Sequence, residues 1–131
     1  MKNLLLLLAL SFALVGARAE DQAASKAAPA KKTFLIILRP HPRLHDEKAW
    51  TDADKAATGA HFQRLKAATD AGQVILAGRT HEDLDKTIGL VVFTAADEAA
   101  AREFLNGDPC VAAGVMTATL HPYDLALLRK N

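Results

Sequence analysis

The sequence of 131 residues contains a single cysteine, Cys110, and few aromatic residues: one Trp, one Tyr and five Phe. One thiol cannot close a disulfide within the chain, so stability must come from core packing, with or without a partner subunit. The chain has no CxxC pair and no clustered cysteine–histidine spacing, which argues against a structural zinc site. It also lacks a basic patch interleaved with aromatic residues, which argues against nucleic-acid binding. No nucleotide motif occurs, so we expect neither a cofactor nor a metal.

The N-terminal segment has the three parts of a secretory signal peptide. The positive charge of Lys2 precedes the apolar run Leu4–Val15, and Ala17–Ala19 reads as an A-x-A cleavage site. A membrane-spanning helix needs about 18–20 apolar residues, and this run is too short, although an uncleaved anchor is the alternative. We therefore expect residues 1–19 to be removed and the mature protein to be exported, to the periplasm or the medium, with no membrane span.

The exported chain divides into a linker and one domain. Glu20–Lys32 is rich in Ala, Lys and Gln without apolar periodicity, which predicts a flexible linker. Residues 33–131 have the length of a single compact domain. Loss of Lys2 and Arg18 leaves 16 − 2 = 14 basic residues against 15 acidic ones, a net charge of −1.

The domain predicts the element order β-α-β-β-α-β. The predicted strands are Thr33–Leu38, Gln73–Arg79, Thr87–Phe93 and Val115–Leu120. The first helix follows the loop Pro40–Trp50, is capped by Thr51 and Asp54, and ends near Ala71 at Gly72. The second helix is opened by Thr94 and Asp97 and stopped at Asn106–Pro109, and the turn Cys110–Gly114 follows it. This order is typical of the ferredoxin-like α+β fold, an antiparallel sheet with two helices on one face. The other face would be bare and apolar in a monomer, so we expect a homodimer.

His61 is the residue that points most directly to chemistry. It lies on the predicted buried stripe of the first helix, whose other members are Ala57, Ala60, Leu65 and Ala68. The topology brings one group of residues to the same end of the fold as this helix: Arg39, Gly78, Arg79 and Asp108. His121 lies at the opposite end of the fold and is therefore excluded from this group. A histidine in a purely core role remains the alternative.

Three segments resemble the YCII-related (YciI-like) domains: GAHFQRL at Gly59–Leu65, VILAGR at Val74–Arg79 and GDPCVAAGV at Gly107–Val115. The resemblance covers most of residues 33–123. It implies a fold of the dimeric α+β barrel type and a catalytic His/Asp pair, which would be His61 and Asp108. It also makes elimination plausible, because a YCII-like relative is similar to dehydrochlorinases of hydroxyquinone-type substrates.

These residues predict a cofactor-free enzyme that acts on a small molecule, an isomerase or a lyase of the dehydrochlorinase kind. His61 would be general base and then acid, Asp108 would orient it, and Arg39 or Arg79 would hold a substrate anion. Gly78 would let the ligand approach the backbone. The alternatives are a non-catalytic exported module that binds a small ligand, or a purely structural dimer.

Each of these residues also has an ordinary structural explanation. In that explanation, Asp108 belongs to a turn, where aspartate before proline is common. Arg39 and Arg79 would be solvated ends of strands, and Gly78 would only relieve backbone strain in a turn. Cys110 stands where the family often has an aromatic residue, and we expect a small buried side chain rather than a nucleophile. A metal site formed by His61 with the other histidines, His41, His45 and His81, matches no standard spacing.

Overall fold

The computed structural model describes residues 30–130 of the chain. The predicted signal peptide and nearly all of the predicted linker lie outside these residues. Within them, no helix is long and apolar enough to cross a membrane.

The described residues form a four-stranded antiparallel sheet with helices on one side. The elements are β1 (Lys32–Pro40), two single 3₁₀ turns (Pro42–Leu44 and Glu47–Ala49), α1 (Asp52–Asp70), β2 (Val74–Arg79), β3 (Gly89–Ala95), α2 (Glu98–Asn106), α3 (Pro109–Ala112) and β4 (Met116–Pro122). The strands are arranged β2-β3-β1-β4, and every neighbouring pair is antiparallel. The ferredoxin-like α+β fold predicted from the sequence is therefore confirmed.

Helix α1 begins and ends where its sequence signals predict. The Thr51 hydroxyl accepts from the Asp54 backbone N–H, and the Asp54 carboxylate accepts in return from the Thr51 backbone, which is a complete capping box. At the other end, Gly72 adopts φ 75°, the left-handed conformation that ends the helix without a Cβ penalty. These local contacts fix the start of the helix that carries His61.

Asp54 also ties the loop after β1 to α1. Its buried carboxylate is 2.7 Å from Nη2 of Arg43, and the same guanidinium donates to the Gly114 carbonyl. The hydrogen bonds from Arg43 and then from Thr51 hold the pKa of the Asp54 carboxyl well below its usual range. A depressed pKa means that the contact stabilises the fold fully above the usual pKa of aspartate, and that this stability is lost progressively as the pH falls from that value through the depressed one.

Two predicted features near the second half of the chain are wrong in detail. Thr94 lies in β3 rather than at a helix start, and Asp97 alone caps α2 by accepting from the Ala100 N–H at 2.9 Å. The turn predicted at Cys110–Gly114 is instead largely the short helix α3, which begins at Pro109, because Asp108 caps it and proline at the first position already has a helical φ. Helix α3 is important because its cap residue, Asp108, is one of the predicted catalytic residues.

The core lies between the sheet and the helices. Side chains from the inner face of the sheet form it together with one leucine of α1 and one alanine of α2: Phe34, Ile36, Leu38, Leu65, Val74, Val91, Phe93, Ala95 and Ala101. Alternate residues of β1 and β3 must point to the other face, because successive side chains of a strand lie on opposite sides. That alternation decides which predicted site residues can reach His61.

Candidate active site

A cleft of about 780 Å³ opens between α1 and the sheet. Most of its wall is apolar, and the larger side chains of this part include Leu38, Trp50, Phe62, Leu65, Leu84, Val91 and Met116. Two cations, Lys66 and Arg79, also line it, and Lys66 is paired with Asp70 at 2.6 Å. A cleft with apolar walls and few polar groups is the usual form of a small-molecule site.

His61 lines this cleft and contacts Asp108 behind it. Its Nδ1 lies 2.6 Å from Oδ2 of Asp108, and its side chain is 13% exposed while that of Asp108 is 7% exposed. An ionised carboxylate can only accept, so Nδ1 carries the proton and donates it. The second ring nitrogen, Nε2, then has a free lone pair and makes no hydrogen bond within residues 30–130. This is the tautomer that a general base requires.

The backbone around α3 holds Asp108 in place. Its Oδ1 accepts from the Cys110 backbone N–H at 2.9 Å as the helix cap, which leaves Oδ2 for His61. Burial alone would raise the pKa of the Asp108 carboxyl, but the hydrogen bond and charge of His61 and the backbone N–H groups of Cys110 and Val111 outweigh it and lower the pKa. Asp108 is therefore an anion that contacts both a backbone amide and the imidazole.

Of the other predicted site residues, the structure brings Gly78 and Arg79 to the cleft but not Arg39. Gly78 and Arg79 line the cleft from β2. Arg39 is an exposed residue between the cleft-lining Leu38 and Pro40, so strand alternation directs it to the opposite face of the sheet. The prediction that Arg39 joins His61 assigned the correct end of the strand but the wrong face.

The stripe predicted on α1 also differs from the structure. Ala60 is exposed, while Leu65 is buried and Ala57 and Ala68 are partly buried. Thr58 and Arg64 lie partly buried on the same side of the helix as His61. The other predicted metal-site histidines, His41, His45 and His81, do not line the cleft, and neither does His121. His61 is thus the one histidine of residues 30–130 that reaches this space.

Arg64 is a site residue that the sequence reasoning missed. Its Nη1 lies 3.8 Å from Oδ2 of Asp108, and its Nη2 donates to the Phe104 carbonyl at 2.7 Å. It is three residues after His61, so helical spacing places both on one side of α1. The spacing of three residues was the one feature of the sequence that could have indicated Arg64. An arginine on a helix is usually solvated, and no neighbouring residue in the sequence indicated that Asp108 would lie beside it.

Cys110 completes a group of three potential metal donors with His61 and Asp108. One donor atom from each residue lies within 4.8 Å of the others. The chemistry of the group does not suit a cation, because Nδ1 is already hydrogen-bonded and Arg64 adds a positive charge. Burial first, and then the Asp108 charge, raise the pKa of the Cys110 thiol, which disfavours the thiolate that a metal needs. We therefore interpret Cys110 as a buried core residue.

The fold and the site together define a small ferredoxin-like α+β protein with a histidine–carboxylate pair at an apolar cleft. The sequence profile of the YCII-related domain matches residues 33–120, so the chain belongs to this family, as its motifs predict. No curated protein matches the sequence. A similar solved structure is 5-chloro-2-hydroxyhydroquinone dehydrochlorinase from Burkholderia phenoliruptrix AC1100 in complex with 2,5-dihydroxybenzoquinone. Its TM-score is 0.48 at 16% identity, over 70% of this chain and 93% of that chain.

Proposed function

We propose that this protein is a cofactor-independent acid–base enzyme, a lyase or an isomerase, that acts on a small oxygenated ring compound. The observation that carries the proposal is the 2.6 Å contact between Nδ1 of His61 and Asp108, with the other ring nitrogen left to an apolar cleft. A histidine in this arrangement supplies about 10²–10⁴-fold in rate as a general base and acid. Its position beside the apolar side chains of the cleft favours an apolar ring as the substrate.

The proposed chemistry uses two side chains of the cleft, His61 and Arg79, together with Asp108 behind His61. Nε2 of His61 takes a proton from a carbon next to a carbonyl, and the electron pair of that bond forms the enolate. In an elimination, this pair then expels an anion such as halide; in an isomerisation, His61 returns the proton to another atom. Arg79 forms no ion pair with residues 30–130, so it can stabilise the negative oxygen. Asp108 stabilises the imidazolium formed midway.

The test is turnover of a panel of small oxygenated and halogenated ring compounds by the wild type and by His61→Gln. We expect proton exchange, isomerisation or anion release with the wild type and its loss in His61→Gln, because glutamine cannot accept and return a proton. His81→Gln is the matched control, since His81 is exposed and does not line the cleft. Activity that survives in His61→Gln refutes the site. Ligand-induced thermal shifts without any turnover would instead support the alternative, a non-catalytic binding module.

We also propose that the exported form, without residues 1–19, is a homodimer that pairs through the open face of its sheet. Side chains of three adjacent strands point away from the core on this face. Leu35 and Ile37 of β1 and Leu90 of β3 are partly exposed there around the buried Val92, and Leu76 of β2 extends the patch at 46% exposure. The centre of this patch carries no charge, so a second copy, with the same surface, is the occupant that it fits.

Native mass spectrometry of the protein secreted by cells that express the full chain tests both points. We expect a chain that begins near Glu20 and a complex of twice its mass. Ile37→Glu is expected to give the monomer, because it places a charge in the centre of the apolar patch; Leu127→Glu, in the 92% exposed tail, is the control. An intact leader would contradict export, and a monomeric wild type would contradict the dimer.

A further inference from the structure

The guanidinium of Arg64 is built into the wall behind the histidine–aspartate pair. One face of it lies over the Phe104 ring, with 4.2 Å from Cζ to the ring centroid, and Nη2 donates to the Phe104 carbonyl near the C-terminal end of α2. The other terminal nitrogen, Nη1, is fully buried and has no hydrogen-bond partner among residues 30–130. Its neighbour on the side of the site is Oδ2 of Asp108, at 3.8 Å.

Gly107 makes room for this arrangement. A Cβ at this position would lie 3.2 Å from Nη2 of Arg64 and 3.3 Å from the Glu103 carbonyl oxygen. Both distances are tighter than ordinary van der Waals contact, so a side chain here would press on the guanidinium. The glycine beside Asp108 is therefore coupled to the position of Arg64.

The imidazole of His61 and the guanidinium of Arg64 thus face one carboxylate oxygen. Oδ2 of Asp108 accepts from His61 at 2.6 Å and lies 3.8 Å from Arg64. Because arginine is permanently charged, its guanidinium favours the ionised form of Asp108, which is the form that accepts the Nδ1 proton.

We infer that Arg64 is a positioning residue of the pair, which holds Asp108 as the orienting anion and so keeps its hydrogen bond to Nδ1 of His61 in place. The inference deepens the proposed function and rests on it for its catalytic meaning. Arg64 does not line the cleft, so it acts through Asp108 rather than on the substrate.

The remaining charged and titratable groups around His61 lie in less direct positions. Cys110 on α3 faces it with a thiol whose pKa burial raises, so this group is neutral. Arg79 reaches the same cleft from β2, and Lys66 lies farther along α1 with its charge paired to Asp70. Asp108 and Arg64 are therefore the charged groups that lie on the Nδ1 side of the imidazole.

The test is NMR of the Nδ1 proton of His61 in ¹⁵N-labelled protein, which needs no substrate. While Nδ1 donates to Asp108 this proton is protected, and we expect a resolved resonance in the wild type. In Arg64→Met we expect the resonance to be lost through faster exchange with water, because Asp108 is no longer held, and Arg64→Lys should restore most of it. The matched control is Arg102→Met, an exposed α2 arginine paired with Glu98 in which the same substitution should leave the resonance unchanged.

Other outcomes overturn the inference. An unchanged Nδ1 proton resonance in a folded Arg64→Met protein would do so, as would a lysine variant that behaves like the methionine variant. If Arg64→Met does not fold, Gly107→Ala replaces it, because the added methyl displaces the guanidinium without removing its charge, and an unchanged resonance there refutes the coupling. Failure of the enzyme proposal is a separate result, because it would appear as turnover in His61→Gln whatever the Nδ1 proton shows.

Discussion

Replacement of Asp108 by asparagine is expected to lower kcat/KM by about 10²–10⁴-fold while leaving the fold intact. The carboxamide oxygen can still accept from the Cys110 N–H, because asparagine caps helices as well as aspartate does. The amide group then presents its NH₂ to His61, and an NH₂ donates instead of accepting. The ring proton moves to Nε2, and the imidazole can no longer accept a proton from the substrate.

The matched control is Asp97→Asn, which makes the same substitution at another helix cap. Asp97 accepts from the Ala100 N–H at 2.9 Å at an exposed position outside the cleft, so its variant should keep wild-type kinetics. The double variant of Asp108→Asn and His61→Gln is expected to be no slower than His61→Gln alone, because the two side chains act as a unit. Additive losses, or an Asp108→Asn enzyme within tenfold of the wild type, would contradict this role.

Truncation of Phe93 to alanine is expected to lower the free energy of unfolding by about 3–5 kcal/mol. Phe93 has no exposed surface, and its ring centroid lies 4.6 Å from that of Phe104 and 6.0 Å from that of Phe34. The substitution removes a large apolar side chain and both aromatic contacts from a core that no disulfide supports. Against a total of about 5–15 kcal/mol for a domain, this loss is a large share of the stability.

Urea denaturation monitored by circular dichroism measures this effect. Phe62→Ala is the control, because Phe62 is 64% exposed on α1 and its loss should change the unfolding free energy by about 0.5 kcal/mol or less. Equal urea midpoints of unfolding for Phe93→Ala and Phe62→Ala would show that the aromatic contacts of Phe93 do not stabilise the core. Phe104 packs against Phe93 on one side and contacts Arg64, so the Phe93→Ala protein should also show a disturbed His61 signal by NMR.

Much of the fold could be predicted because its signals are local. The Thr51 and Asp54 capping box and the Gly72 stop depend on residues within one or two helical turns, and both were read correctly. The start of α2 was placed ambiguously because Thr94 and Asp97 both have capping side chains. Only pairing of β3 with β1, which extends to Lys32 and Ala95, shows that Thr94 belongs to a strand.

The site could be predicted only in part. His61 stood out as an imidazole on a helix stripe, and the family resemblance, not the spacing, supplied Asp108 as its partner. The contact between them joins residues 47 positions apart, which no local pattern specifies. Arg64 was missed for the same reason: its neighbours are Asp108 and the Phe104 carbonyl, 40 residues away.

The sequence by itself determined the order of the four strands and of α1 and α2, the caps that begin and end α1, the family and the histidine that we propose as the general base. Its lack of disulfide and metal motifs also left packing as the source of stability. Only the tertiary structure decided which side chains meet. Strand alternation sends Arg39 to the face opposite the cleft, and the approach of α3 to α1 brings Asp108 between His61 and Arg64. The physical reason is that caps and turns arise from neighbouring residues, whereas a charge balance arises from groups that only folding brings together.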